Sequence, residues 1–189
     1  MILGIDPGSR VTGYAVLGAD ANNKLTAIRC DVIRLEKIAD HADRLRKLFA
    51  ELTTIVGSHR PFECAIETPV YGKDPLAMLK LGRAQAACIL AMATNDVPVT
   101  EYYPKMVKKS ITGNGNASKE QVAFMIRNTV RIHEEKVPKD ATDALAVAWC
   151  HMLKLSKPIT QPAKKMHQNN KVNNWADFAK KNPGRIKGL

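Results

Sequence analysis

The chain has 189 residues, 45% hydrophobic and 25% charged, a near-average globular balance that argues against a fibrous or wholly disordered protein. Its net charge of +11 favours an anionic partner, and nucleic acid before membrane, because no basic amphipathic helix stands out. Cys30, Cys64, Cys88 and Cys150 are far apart without a C-x-x-C pair, and the five histidines show no metal-ligand spacing, which points to buried free thiols and away from zinc.

In chain order, residues 1–5 (MILGI) form an apolar run ending at Asp6-Pro7-Gly8-Ser9, consistent with a buried strand closed by a turn. That run is too short for a secretory core or a membrane span, so the expected protein is soluble and cytoplasmic. Residues 12–17 and 25–35 are strand-like and flank Asn22-Asn23, predicting a hairpin. Leu45, Leu48, Phe49, Leu52 and Ile55 recur at helical spacing within 39–56, a surface helix. Residues 63–67 (ECAIE) resemble a brief buried strand. The helix expected over 76–94 is apolar on most sides and rich in Ala and Gly, suited to a core or to a subunit interface.

Residues 97–102 read as a fifth strand, and Pro104, at a helix start, opens a short basic segment with Lys105, Lys108 and Lys109. After Gly113-Asn114-Gly115-Asn116, Ser118 and Gln121 make a capping box for a helix over 119–130. Asp140 opens a last helix to about Leu155. The order βββαβαβαα predicts an α/β fold, a mixed sheet with helices packed on it. One domain is expected over residues 1–157, followed by a basic, disordered tail at 158–189. The charge is uneven in the same sense, since residues 156–189 carry eight Lys or Arg against one acid.

Four acids carry the chemistry. Each has an ordinary explanation: Asp6 as an Asx turn before Pro7, Glu67 as a solvated strand end, Asp140 and Asp143 as acids favoured by a helix N-terminus. Together they are less ordinary. Asp6 and Glu67 each end an apolar strand, at the sheet end where ligands commonly bind. Asp140 and Asp143, three apart on a helix, share a face. Several carboxylates without His or Cys suit Mg²⁺, and two such ions would support in-line phosphodiester hydrolysis.

With their surroundings these residues resemble the RuvC family of Holliday-junction resolvases, within the ribonuclease H-like superfamily. The likeness is carried by GIDPGSRVTGY at 4–14, AIE at 65–67, LKLGRAQ at 79–85, EYYPKMVKKSITGNGNASKEQV at 101–122 and DATDALAVA at 140–148, in family order and spacing. It implies a mixed five-stranded sheet flanked by helices, and a junction-selective DNA endonuclease that makes paired symmetric nicks leaving 5′-phosphate and 3′-hydroxyl ends. It implies Asp6, Glu67, Asp140 and Asp143 as catalytic ligands of two Mg²⁺ ions, with Asp6 bridging and Mn²⁺ able to substitute. It also implies Lys108 and Lys119 as DNA contacts, with Tyr71, Lys73 and Arg10 as further candidates. The family's stacking aromatic falls on Val70 here, and neighbouring Tyr71 is the expected substitute. A homodimer, with the helix over 76–94 as the interface candidate, and cooperation with RuvA and RuvB branch-migration proteins are implied as well.

Three other readings compete. A ribonuclease H-like enzyme could cut RNA/DNA hybrids or other branched DNA, because fold alone does not choose the substrate. A sugar-kinase or actin-like ATPase would share the GIDPGS turn, but it needs two domains, and this chain has room for one. A junction binder without catalysis would have no use for all four acids.

Overall fold

The computed structural model describes residues 1–22, 24–70, 74–134 and 136–156. Tyr71, Lys73 and the basic segment 158–189 lie outside the described residues. Five strands, β1 (Ile2–Asp6), β2 (Val11–Ala19), β3 (Leu25–Arg34), β4 (Glu63–Glu67) and β5 (Val99–Tyr102), form one mixed sheet in the order β3-β2-β1-β4-β5. β1, β2 and β3 pair antiparallel, whereas β4 and β5 run parallel to β1. The β2–β3 hairpin is turned by Asp20, whose carboxylate accepts the Asn22 and Lys24 backbone N–H groups at 2.9 Å each.

Parallel neighbours need crossover connections, and helices α1 (His41–His59) and α2 (Pro75–Ala93) supply them. α1 begins where the Asp40 carboxylate accepts the Asp43 N–H and ends at Arg60, which adopts a left-handed conformation at φ 46°. The basic segment after Pro104 is a complete helix, α3 (Pro104–Thr112), so the described residues hold one more helix than the expected order. Proline in its first turn starts it, and Gly113 at φ 77° stops it. Helix α4 (Lys119–Thr129) carries the expected capping box between Ser118 and Gln121. Helix α5 (Lys139–Leu155) follows.

Both faces of the sheet are covered at its middle, which is why β1 and the interior of β4 are continuous apolar runs, whereas the edge strand β3 carries exposed Arg29 and Arg34. Leu3 and Ile5 pack with Leu48, Leu52 and Val56 of α1 and Ala84, Cys88 and Met92 of α2. Ile2, Ala15 and Ala65, on the other face, pack with α3, α4 and α5. All four cysteines are buried as expected and outside any disulfide among the described residues, and desolvation pushes the Cys30 and Cys88 thiols up to about 12.

α5 lies unusually close to the sheet. A Cβ on Gly4 would stand 2.1 Å from the Ala144 carbonyl oxygen, and one on Gly13 would stand 1.9 Å from that of Asp140. Only glycine at these two positions, with Ala141, Ala144 and Ala148 on the helix, allows the approach. Gly13→Ala therefore forces the first turn of α5 away from β2. We expect it to lower stability by about 1–3 kcal/mol, a drop in melting temperature of several degrees in a thermal unfolding scan.

Candidate active site

Strand register brings the first two acids together. Ile5 of β1 pairs in parallel with Ile66 of β4, so the next residues, Asp6 and Glu67, leave the two central strands side by side. Side chains alternate along a strand, so Asp6 shares the face of Ile2 and Gly4, and Glu67 shares the face of Ala65, the face covered by α5. Asp140 lies in the first turn of α5 and Asp143 one turn further on. The residue capping that helix is Pro138, without a side-chain hydrogen bond, so neither acid is spent on capping.

One carboxylate oxygen from each of Asp6, Asp140 and Asp143 lies within 4.8 Å of the others. Glu67 and Asp143 line a cleft of about 140 Å³ that continues from this cluster, with Lys108 of α3, Lys119 of α4 and an apolar floor that includes Val107, Val122 and Ala146. Gly13 makes the convergence possible. It pairs with Asp6 across the β1–β2 ladder, and its missing side chain admits the backbone of Asp140.

The electrostatics are those of an anion cluster short of positive charge. Burial first, then the charges of Glu67 and Asp143, raise the Asp6 carboxyl from its ordinary 3.8 to about 8, against the lowering pull of Lys119. Burial, then Asp143, raises Glu67 to about 7, against the lowering pull of Lys119 and Lys108. The Lys119 ammonium donates to the Asp143 carboxylate in a close ion pair, which raises the lysine's own pKa. One paired lysine does not neutralise four carboxylates. Hard oxygen donors that converge at this spacing, with two of them unfavourably buried when ionised, fit divalent cations of the Mg²⁺ type.

A family model described as crossover junction endodeoxyribonuclease RuvC matches residues 2–151. The chain belongs to the RuvC family. A RuvC of Salinibacter ruber, described as a crossover junction endodeoxyribonuclease, is 43% identical over 187 residues, covering 98% of each chain. Among solved structures, RuvC of Thermus thermophilus superimposes with a TM-score of 0.73 at 28% identity, covering 82% of this chain and 94% of that one. The same T. thermophilus protein in complex with a Holliday junction substrate gives 0.72 at 26% identity, with the same coverage. The mixed five-stranded sheet with helices on both faces is thus the ribonuclease H-like fold of RuvC proteins.

Within this RuvC fold the four acids expected from the sequence come together. Lys108 and Lys119, expected as DNA contacts, line the same cleft. Lys119 also pairs with Asp143 across 24 residues of chain, a partnership that sequence spacing does not reveal. Arg10 is exposed in the β1–β2 turn, where its carbonyl oxygen accepts the Leu35 N–H at 2.8 Å. Val70, at the family's aromatic position, is 55% exposed. Two contributors escaped the sequence reading, Gly4 and Gly13, because a glycine's value here lies in what packs against it.

Helix α2 also departs from a purely buried reading. Ala84, Cys88, Ala91 and Met92 face the core, but Leu76, Leu79 and Leu90 are 69%, 51% and 55% exposed. They lie on one outward stripe at helical spacing.

Proposed function

We propose that this RuvC-family chain is a Holliday-junction-resolving endonuclease whose cleavage centre is Asp6, Glu67, Asp140 and Asp143, working with two Mg²⁺ ions that Mn²⁺ can replace. The observation that carries the reading is the convergence of Asp6, Asp140 and Asp143, joined through Asp143 to the cleft that Glu67 lines with Lys108 and Lys119. Bound divalent ions supply an activated water and positive charge at the leaving oxygen. The protein holds oxygen donors on two rigid strand ends and one buried helix, which is what precise placement of a scissile phosphate requires. Lys108 and Lys119 offset phosphate charge at the cleft rim.

Hydrolysis by this route leaves 5′-phosphate and 3′-hydroxyl ends. Paired nicks placed symmetrically in strands of like polarity should therefore be sealed by DNA ligase without end treatment. Products that ligase leaves open would contradict the reaction as written.

Lys108 is part-exposed and its ammonium makes no hydrogen bond or ion pair among the described residues, so its charge is available to DNA. Lys108→Ala is expected to weaken junction binding and to reduce the slope of log affinity against log salt by about one. A salt titration of binding in EDTA measures both. Tyr71 as the stacking aromatic, Lys73 and Arg10 as phosphate contacts, and residues 156–189 as a basic extension that adds non-specific attraction complete the DNA-binding proposal.

A homodimer offers two such centres to a two-fold junction. The outward stripe of α2 supports that arrangement, because three exposed leucines on one helix are otherwise an exposed apolar strip. Leu79→Glu should halve the mass seen by light scattering. Cooperation with RuvA and RuvB, in the cytoplasm, completes the reading and should appear as stimulated cleavage when all three are mixed.

A further inference from the structure

A second carboxylate arrangement lies on the opposite face of the sheet from the acid cluster. Tyr102 of β5 faces α5, where its hydroxyl bonds His151 Nδ1 at 2.7 Å, so the preceding residue, Glu101, projects toward α2. There one oxygen of Glu101, Oε2, accepts two hydrogen bonds: from Gln85 Nε2 of α2 at 2.6 Å and from Thr68 Oγ1 at 3.2 Å. Thr68 is the residue immediately after Glu67. Its backbone N–H is held as well, donating to the Tyr102 carbonyl oxygen at 2.8 Å. No Lys or Arg pairs with Glu101 among the described residues, so this carboxylate serves as a hydrogen-bond acceptor and not as half of an ion pair.

Glu67, paired with Tyr102, is the last residue of β4, and the chain leaves the strand at Thr68. Whatever fixes the residue after it fixes the direction of its carboxylate. The Glu101 bridge does so from two sides, to β5 and to the helix that carries the outward leucine stripe.

We propose that Glu101 is a positioning residue for the cleavage reaction: through Thr68 and Gln85 it ties the chain leaving β4 to α2 and so aims Glu67 into the cleft. This rests on the reading of the cleft as a metal-dependent junction nuclease. The effect is one of geometry, and small displacements of a reacting group are enough to slow a reaction severalfold to a hundredfold. Both hydrogen bonds end on one oxygen, so the amide oxygen of glutamine can accept them equally well.

The test compares wild type, Glu101→Ala and Glu101→Gln in single-turnover cleavage of a four-way junction across a Mg²⁺ titration, with junction affinity in EDTA and melting temperature as controls. Glu101 is exposed, so both variants should fold with nearly unchanged melting temperature and affinity. The alanine variant should cleave about tenfold more slowly and need more Mg²⁺ for half-maximal rate, because Glu67 no longer points into the cleft. The glutamine variant should recover to within about threefold of wild type in both respects. Wild-type cleavage by Glu101→Ala, or a glutamine variant as slow as the alanine one, would overturn the positioning role. A rate loss matched by a large fall in melting temperature would overturn it too. A wild-type protein that leaves the junction intact at every Mg²⁺ concentration would instead overturn the functional reading beneath it.

Discussion

Asp6→Asn should cut the cleavage rate by about a thousandfold or more while leaving junction binding in EDTA intact. Asp6 is the one acid that comes from the central strand and meets both helix acids, with an oxygen within 4.8 Å of Asp140 and Asp143. An amide there keeps the shape and removes the charge that a divalent cation needs. The loss should not come from misfolding. In the metal-free protein an ionised Asp6 faces burial and repulsion from Glu67 and Asp143, so the neutral amide relieves the fold. A variant that is inactive, fully able to bind junctions and harder to melt without metal is the expected combination. Single-turnover cleavage, an EDTA binding assay and a melting scan check the three parts.

The second large effect is the pH dependence of stability without metal. Asp6 is raised from 3.8 to about 8, and Glu67 from 4.5 to about 7. In the unfolded chain both carboxyls ionise near pH 4, whereas in the folded protein they hold their protons into the neutral range. Between those limits the unfolded state binds fewer protons, so rising pH favours unfolding. Stability is therefore highest below about pH 4 for these two groups. It falls through the window up to about pH 8 and is then level, each group contributing at most about 1.4 kcal/mol per pH unit while its two states differ. The melting temperature in EDTA should drop by several degrees between pH 5 and pH 8.5. Added Mg²⁺ should restore it most at the alkaline end, where the carboxylates are ready to bind. Asp6→Asn should flatten the profile, and a profile that rises with pH would contradict the burial of these acids.

Much of this was legible in the residues themselves. Apolar runs that stop on a carboxylate, MILGID and ECAIE, mark strand ends, and two acids three apart mark one helix face; from those periods the four-acid cluster can be anticipated. The features that escaped depend on packing. Gly13 is a turn-prone residue in a strand pattern until α5 lies on it and Asp140 needs the space of its absent Cβ. Lys119 appears to the sequence as a capping-box neighbour, because its partner Asp143 is a helix away. Pro104 carried a helix-start signal that the expected order did not count as an element, and proline and Gly113 delimit a full helix there. Apolarity on most sides of α2 could not tell core from outward stripe, since both demand the same residue types.

The central claim is that one cleft makes this chain a junction-selective, metal-dependent nuclease. Incubation of the purified protein with a labelled four-way junction, a linear duplex and an RNA/DNA hybrid, each with Mg²⁺ or EDTA, tests it most directly. The account predicts paired symmetric nicks in the junction alone, abolished by EDTA. A degraded hybrid beside an intact junction, or junction binding with no cleavage in Mg²⁺, would contradict it.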